Sequence, residues 1–121
     1  MKVKELKVPI YNARLRLILT DDLSKLNERY NFNILPNDYD AVTFKHNVDS
    51  TDLVFYVAAF EIGKFKNKFI AHEVVHLVNL IYLDHGIELD RVNDEPQAYL
   101  TGFLFEKIEK FIKSKDNKNE R

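Results

Sequence analysis

Residues 69–83 read Phe-Ile-Ala-His-Glu-Val-Val-His-Leu-Val-Asn-Leu-Ile-Tyr-Leu. This is the most apolar stretch of the chain, and it holds two of its four histidines, His72 and His76. Its length and pattern predict a helix over residues 65–85, closed by Gly86 as the left-handed residue past its end. Positions i and i+4 of a helix stack on one face, so His72 and His76 present their imidazoles side by side. Glu73 stands about 100° round the helix from His72. On a helical wheel His72, Glu73, His76 and Asn79 share one sector, while Ile70, Val74, Val75, Val78, Ile81 and Tyr82 take most of the rest. A helix that is apolar nearly all round is a buried one, and buried His and Glu need partners. The expectation is a buried helix whose polar sector is satisfied by something bound there, such as a metal.

Upstream, residues 8–20 read as a strand, with Leu15, Leu17 and Leu19 at alternate positions. Asp21 and Asp22 suit the start of a short helix carrying Leu23, Leu26 and Tyr30 on one stripe. Residues 31–40 read as a loop, and residues 41–46 and 53–60 as a β-hairpin round a turn at 47–52. Downstream, residues 87–93 form a polar connector. Asn93, Asp94, Glu95 and Pro96 open a last helix that runs to Ser114. The order β, α, β, β, α, α predicts an α+β domain: a small, mostly antiparallel three-stranded sheet packed on the His-bearing helix and the C-terminal helix. Residues 1–114 form the single domain, and the charged residues 115–121 form a disordered tail.

Composition limits what this domain does. The chain has 121 residues, 45% hydrophobic and 31% charged, with a net charge of -1. That is one domain with a core. It has no electrostatic footprint for nucleic acid. There are no cysteines, which excludes disulfides, a thiolate nucleophile and Cys-based zinc sites. Residues 1–6 lack the apolar run of a signal peptide. His72, Glu73, His76 and Asn79 interrupt residues 69–83 too often for a membrane span. A cytoplasmic location and no membrane partner are expected.

Any metal must therefore be held by His, Asp or Glu. His72-Glu73-Val74-Val75-His76 is an H-E-x-x-H motif, whose two His bind one zinc ion with the Glu as general base. Catalytic zinc takes three protein ligands and keeps one open position. Residues 77–82 lack the Gly and third His that a metzincin would place there. The other common solution is a Glu on the following helix, and Glu95 lies 19 positions after His76. Ala98, Tyr99 and Gly102 share the face of Glu95, which would let the two helices approach. Asp94 competes for the ligand role or orients an imidazole. Tyr99 is a candidate hydrogen-bond donor to a tetrahedral intermediate, against the plainer reading of amphipathic packing. His85 reads as a helix C-terminal cation, His46 as an exposed turn residue, and Lys64, Lys66 and Lys68 as a solvated face.

The segment Ile70-Ala-His-Glu-Val-Val-His76, followed by Asn93-Asp-Glu-Pro-Gln-Ala-Tyr-Leu100, resembles small zincin-like metallopeptidases of the gluzincin type. It is most similar to the compact versions encoded in bacteriophage and prophage genomes. The resemblance is specific over residues 69–105 and looser over the preceding strands. It implies a minimal zincin-like domain with one Zn2+ on His72, His76 and Glu95, and with Glu73 activating the zinc-bound water. It also implies a peptide or protein substrate laid along a strand near the site, for which residues 53–60 are the candidate, and the cytoplasm of a bacterial host. Where gluzincins often carry an acidic residue one turn after the ligand Glu, this chain has Tyr99. The expected activity is hydrolysis of peptide bonds. The alternative is a non-catalytic zincin-fold binding protein, a phage accessory factor acting on a host protein, in which His46 or Asp94 would close the fourth position of the metal.

Overall fold

The centre of the domain is a strand, Ala13–Thr20, in which side chains of both alternating sets are buried from Leu15 to Ile18. Leu15 and Leu17 face one side and Ile18 the other, which is how a strand covered on both faces is built. The computed structural model describes residues 1–48 and 51–114. Asp49 and Ser50 of the expected turn, and the expected tail at 115–121, lie outside the described residues. The elements are β1 (Lys2–Val8), β2 (Ala13–Thr20), a 3₁₀ turn (Leu23–Leu26) continuing into α1 (Asn27–Tyr30), β3 (Ala41–Asn47), β4 (Val54–Glu61), α2 (Asn67–Asp84) and α3 (Glu95–Lys113).

The sheet has four strands in the order β1-β2-β4-β3, which corrects the three-stranded expectation. The stretch expected as one strand from residue 8 breaks at Pro9–Asn12. Pro9 offers no amide hydrogen, and Ile10 and Asn12 lie at φ 76° and 49°. The chain reverses there, and Lys2–Val8 returns alongside β2 with Leu6 opposite Leu15. The sheet is mixed, and two of its three strand pairs are antiparallel, in line with the mostly antiparallel expectation. The outer pairs β1·β2 and β4·β3 are antiparallel, but β2 and β4 run parallel at the centre. Two segments whose paired residues, such as Arg14 and Phe55, are far apart in sequence thus form the middle of the sheet, a pairing that no local pattern announces.

Two layers cover this sheet. On one face Leu15, Leu17, Tyr56, Ala58 and Phe60 pack against α2 and α3 through Ile70, Val74, Leu77, Ile81, Leu104 and Ile108. On the other, Ile18, Phe55, Val57 and Ala59 pack under Leu23, Leu26 and Tyr30. Arg16 crosses the second layer: it is 6% exposed, bonds Glu5 at 2.7 Å and the Tyr30 hydroxyl at 2.9 Å, and lies over the Phe55 ring.

α2 ends as the sequence implies. Gly86 has φ 67°, Ile87 N–H donates to the Tyr82 carbonyl at 2.9 Å, and Gly86 N–H to that of Leu83 at 3.3 Å. This is the Schellman closure that an αL glycine permits. The expected contact face of α3 is different. The helix packs through Leu100, Leu104, Ile108 and Phe111, which are buried, whereas Glu95, Ala98, Tyr99 and Gly102 are exposed. A Cβ added at Gly102 would meet nothing within 4 Å. The small residues of that face do not serve helix packing, because the larger apolar stripe on the opposite side of the helix supplies the burial.

Candidate metal centre

Strand β3 lies at the edge of the sheet, and its alternation aims Ala41, Thr43 and Lys45 at α2 while Val42, Phe44 and His46 face the other layer. α2 sets its polar sector against this edge. Glu73 is 5% exposed and accepts a hydrogen bond from Thr43 Oγ1 to its Oε1 at 2.7 Å. On either side of it along α2, His72 and His76 bring their Nε2 atoms to 3.2 Å. The two rings meet edge to face, with centroids 4.8 Å apart. A cavity of about 390 Å³ opens over this group, lined by Tyr39, Thr43, His72, Glu73, His76, Asn79, Leu80 and Leu83 among others. An adjoining cavity of about 420 Å³ continues past His72 and Glu73 to Asp38, Asp40 and Lys68.

The burial expected of α2 holds on one side only. Ile70, Val74, Leu77, Val78 and Ile81 are buried, but Val75 is 56% exposed, and His72, His76 and Asn79 are open to solvent. Satisfying buried imidazoles therefore gives no reason to place a metal here. The reason is geometric. Two nitrogens at about 2.0–2.1 Å from one tetrahedral zinc stand roughly 3.3 Å apart. The imidazole pair already has that spacing, so these two residues fit a shared metal.

The third expected ligand is not gathered with them. Glu95 is the first residue of α3 and Asp94 its N-cap; both are exposed. Among the described residues no group of three His, Asp or Glu side chains is assembled so as to hold a metal ion. Tyr99 is 76% exposed and lines a separate apolar cavity with Ile10, Tyr11, Pro96 and Phe103. The cavity of the His pair is bordered instead by Tyr39, from the loop before β3.

Two other expectations change. His46 is a half-buried residue of β3, its ring edge-on to Tyr30 at 5.0 Å. It points to the face of the sheet opposite Thr43, which removes it as a ligand to this site. Residues 53–60 do not offer a free strand, because β4 is paired on both sides. Among the described residues the unpaired edge beside the site belongs to β3. His85 has a structural role at the end of α2, its Nδ1–H donating to the Ile81 carbonyl at 2.7 Å.

Thr43 and Tyr39 were not singled out from sequence. The hairpin register alone identifies Thr43, through its parity with Ala41; nothing local marks Tyr39. The chain matches no protein-family model, no curated protein and no solved structure. No helix among the described residues is long and apolar enough to cross a membrane.

Proposed function

We propose that this chain is a zinc-dependent metallopeptidase whose centre is His72, His76 and Glu73. The observation that carries this reading is the convergence of the two imidazole Nε2 atoms to 3.2 Å beside a buried carboxylate, in an open cavity along a free strand edge. His72 and His76 would hold the ion, with Glu95 proposed as third donor. When bound, zinc supplies a Lewis acid for a scissile carbonyl and lowers the pKa of water. Glu73 is the general base. Thr43 fixes its Oε1, which leaves Oε2 to take a proton from water and return it to the leaving amine. The free edge of β3 offers backbone hydrogen bonds to an extended peptide, which would lie across the cavity.

A second reading is a non-catalytic zincin-fold binding protein. It is favoured by one observation, that among the described residues no third donor stands with the His pair. Metal content and Glu73 separate the two. Under the peptidase reading, protein purified without added zinc carries close to one zinc per chain. His72→Ala, His76→Ala and Glu95→Gln each lower that content. Glu73→Gln keeps the metal but loses peptide cleavage. Metal-free, folded wild-type protein overturns the zinc site. Zinc-loaded protein that cleaves no member of a broad peptide library returns the chain to the binding reading.

A further inference from the structure

Apart from the proposed zinc chemistry, we infer that the chain pairs with a second copy of itself through the exposed face of α3, the two helices lying antiparallel about a two-fold axis. Glu95, Tyr99, Phe103 and Lys107 recur every four residues along α3 and make one ridge of the helix. The ridge complements its own reverse, because it reads acid, aromatic, aromatic, base. Place the axis midway between Tyr99 and Phe103. A second copy then sets Glu95 against Lys107 at both ends and Tyr99 against Phe103 twice, as a self-complementary interface requires. The other charges nearby are already paired: Glu106 with Lys110, and Glu109 with Lys113. Among the described residues Glu95 and Lys107 have no ion-pair partner. The Lys107 ammonium lies 5.4 Å from the centre of the Phe103 ring, at the end of the aromatic pair.

The middle of the ridge is apolar and hollow. A cavity of about 270 Å³ lies between the β1–β2 turn and the start of α3, walled by Pro9, Ile10, Tyr11, Pro96, Tyr99 and Phe103 among others. Scattered exposed apolar residues are ordinary, whereas a contiguous patch marks a contact surface. Here Tyr99 is 76% and Ile10 95% exposed. Ile10 also holds φ 76°, a conformation that β-branched residues rarely adopt, and a side chain so exposed gains little packing in return. In the pair, Tyr99 of each copy enters the other's cavity between Ile10 and Phe103. Ala98 and Gly102 are exposed beside the ridge, with open space over Gly102, and so let the two helices close. Where zinc engages Glu95, the exposed Asp94 beside it keeps that end of the ridge acidic.

The test is sedimentation equilibrium of the full chain over a range of concentrations. Wild type should pass from monomer to dimer mass with a Kd on the order of 10 μM, the strength of a small, transient interface. Tyr99→Ser and, independently, Ile10→Asn should each raise that Kd about tenfold or more. Asn accepts a positive φ, so Ile10→Asn should hold or raise the urea midpoint of the dilute monomer, which separates a lost contact from a lost fold. Lys107→Glu and Glu95→Lys should each weaken self-association about tenfold. Mixed together, these two variants should form a mixed dimer about as tight as wild type, because both ends are then attractive again. Wild type that stays monomeric at about 1 mM overturns the inference. So does a dimer indifferent to Tyr99→Ser and Ile10→Asn, or a mixture of the charge variants no tighter than its components. Zinc content and peptide cleavage play no part in these readouts, so the peptidase reading stands or falls separately.

Discussion

Thr43 and Glu73 lie 30 positions apart in sequence, yet a 2.7 Å hydrogen bond joins them at the centre of the candidate site. Glu73 was legible as a general base from its place beside two i, i+4 histidines. Its partner was not, because Thr43 is one of several polar residues in its strand until the β3·β4 register is known. Replacing Thr43 by Val keeps the shape and removes the donor. Thr43 is partly exposed and the carboxylate faces an open cavity, so water replaces part of the lost bond. The expected cost is near the low end of the usual range, about 1 kcal/mol, seen in urea unfolding. Peptide cleavage should fall by more than stability does, on the order of tenfold, because a mispositioned base loses its near-attack geometry. Unchanged turnover with lowered stability would make Thr43 a purely structural partner.

At the scale of the element, α2 is where sequence and structure agree best. Its bounds, its His stripe and its glycine closure follow from local rules alone. Gly86 stands at φ 67° with open space round it. Gly86→Ala should therefore cost about 1 kcal/mol through backbone strain alone, and Gly86→Asn less, measured by denaturant midpoint. The last turn of α2 also carries pH dependence. The hydrogen bond from Tyr56, and then Lys45, hold the Asp84 carboxyl below its ordinary value. A folded pKa lower than the unfolded one, about 3.9, gives stability that is present above pH 4 and lost as pH falls through the folded value. Tyr56 shifts the other way: burial, and then its bond to Asp84, raise its phenol far above the ordinary 10. Burial, with the Tyr11 hydroxyl second, pushes Tyr82 up to about 12. Groups raised in the folded state contribute stability below pH 10 that is lost as pH climbs above it. Unfolding free energy should be level from about pH 5 to pH 9 and fall on both sides. Asp84→Asn should flatten the acid limb, and Tyr56→Phe should weaken the alkaline limb, followed through phenolate absorbance. An acid limb unchanged in Asp84→Asn would sink the assignment.

For the whole molecule, the α+β class and the hairpin followed from local pattern, but the sheet did not. Nothing in residues 13–20 or 54–61 says that they pair in parallel, and the fourth strand was hidden because Lys2–Val8 shows no apolar alternation strong enough to stand out. The same gap explains the site. Sequence supplies what one helix carries, whereas Thr43, Tyr39 and the exposed side of α3 depend on how distant segments pack. One consequence is mechanical. β3 carries Thr43 toward Glu73 on one face and is held on the other by Phe44, whose ring meets Tyr30 at 4.9 Å and Phe32 at 4.7 Å. The layer of α1 thus fixes an edge strand that has one neighbour in the sheet among the described residues. Phe44→Ala should destabilise the fold by about 2 kcal/mol, below the usual cost for a fully buried phenylalanine because this ring is half-buried. It should also speed hydrogen exchange at β3 amides beyond that global loss, since local opening now frees the edge alone. Peptide cleavage should drop at temperatures where the variant is still folded, although Phe44 and the His pair lie on opposite faces of the sheet. Uniform acceleration of exchange across all four strands, with unchanged turnover, would show that β3 does not depend on this layer for its position.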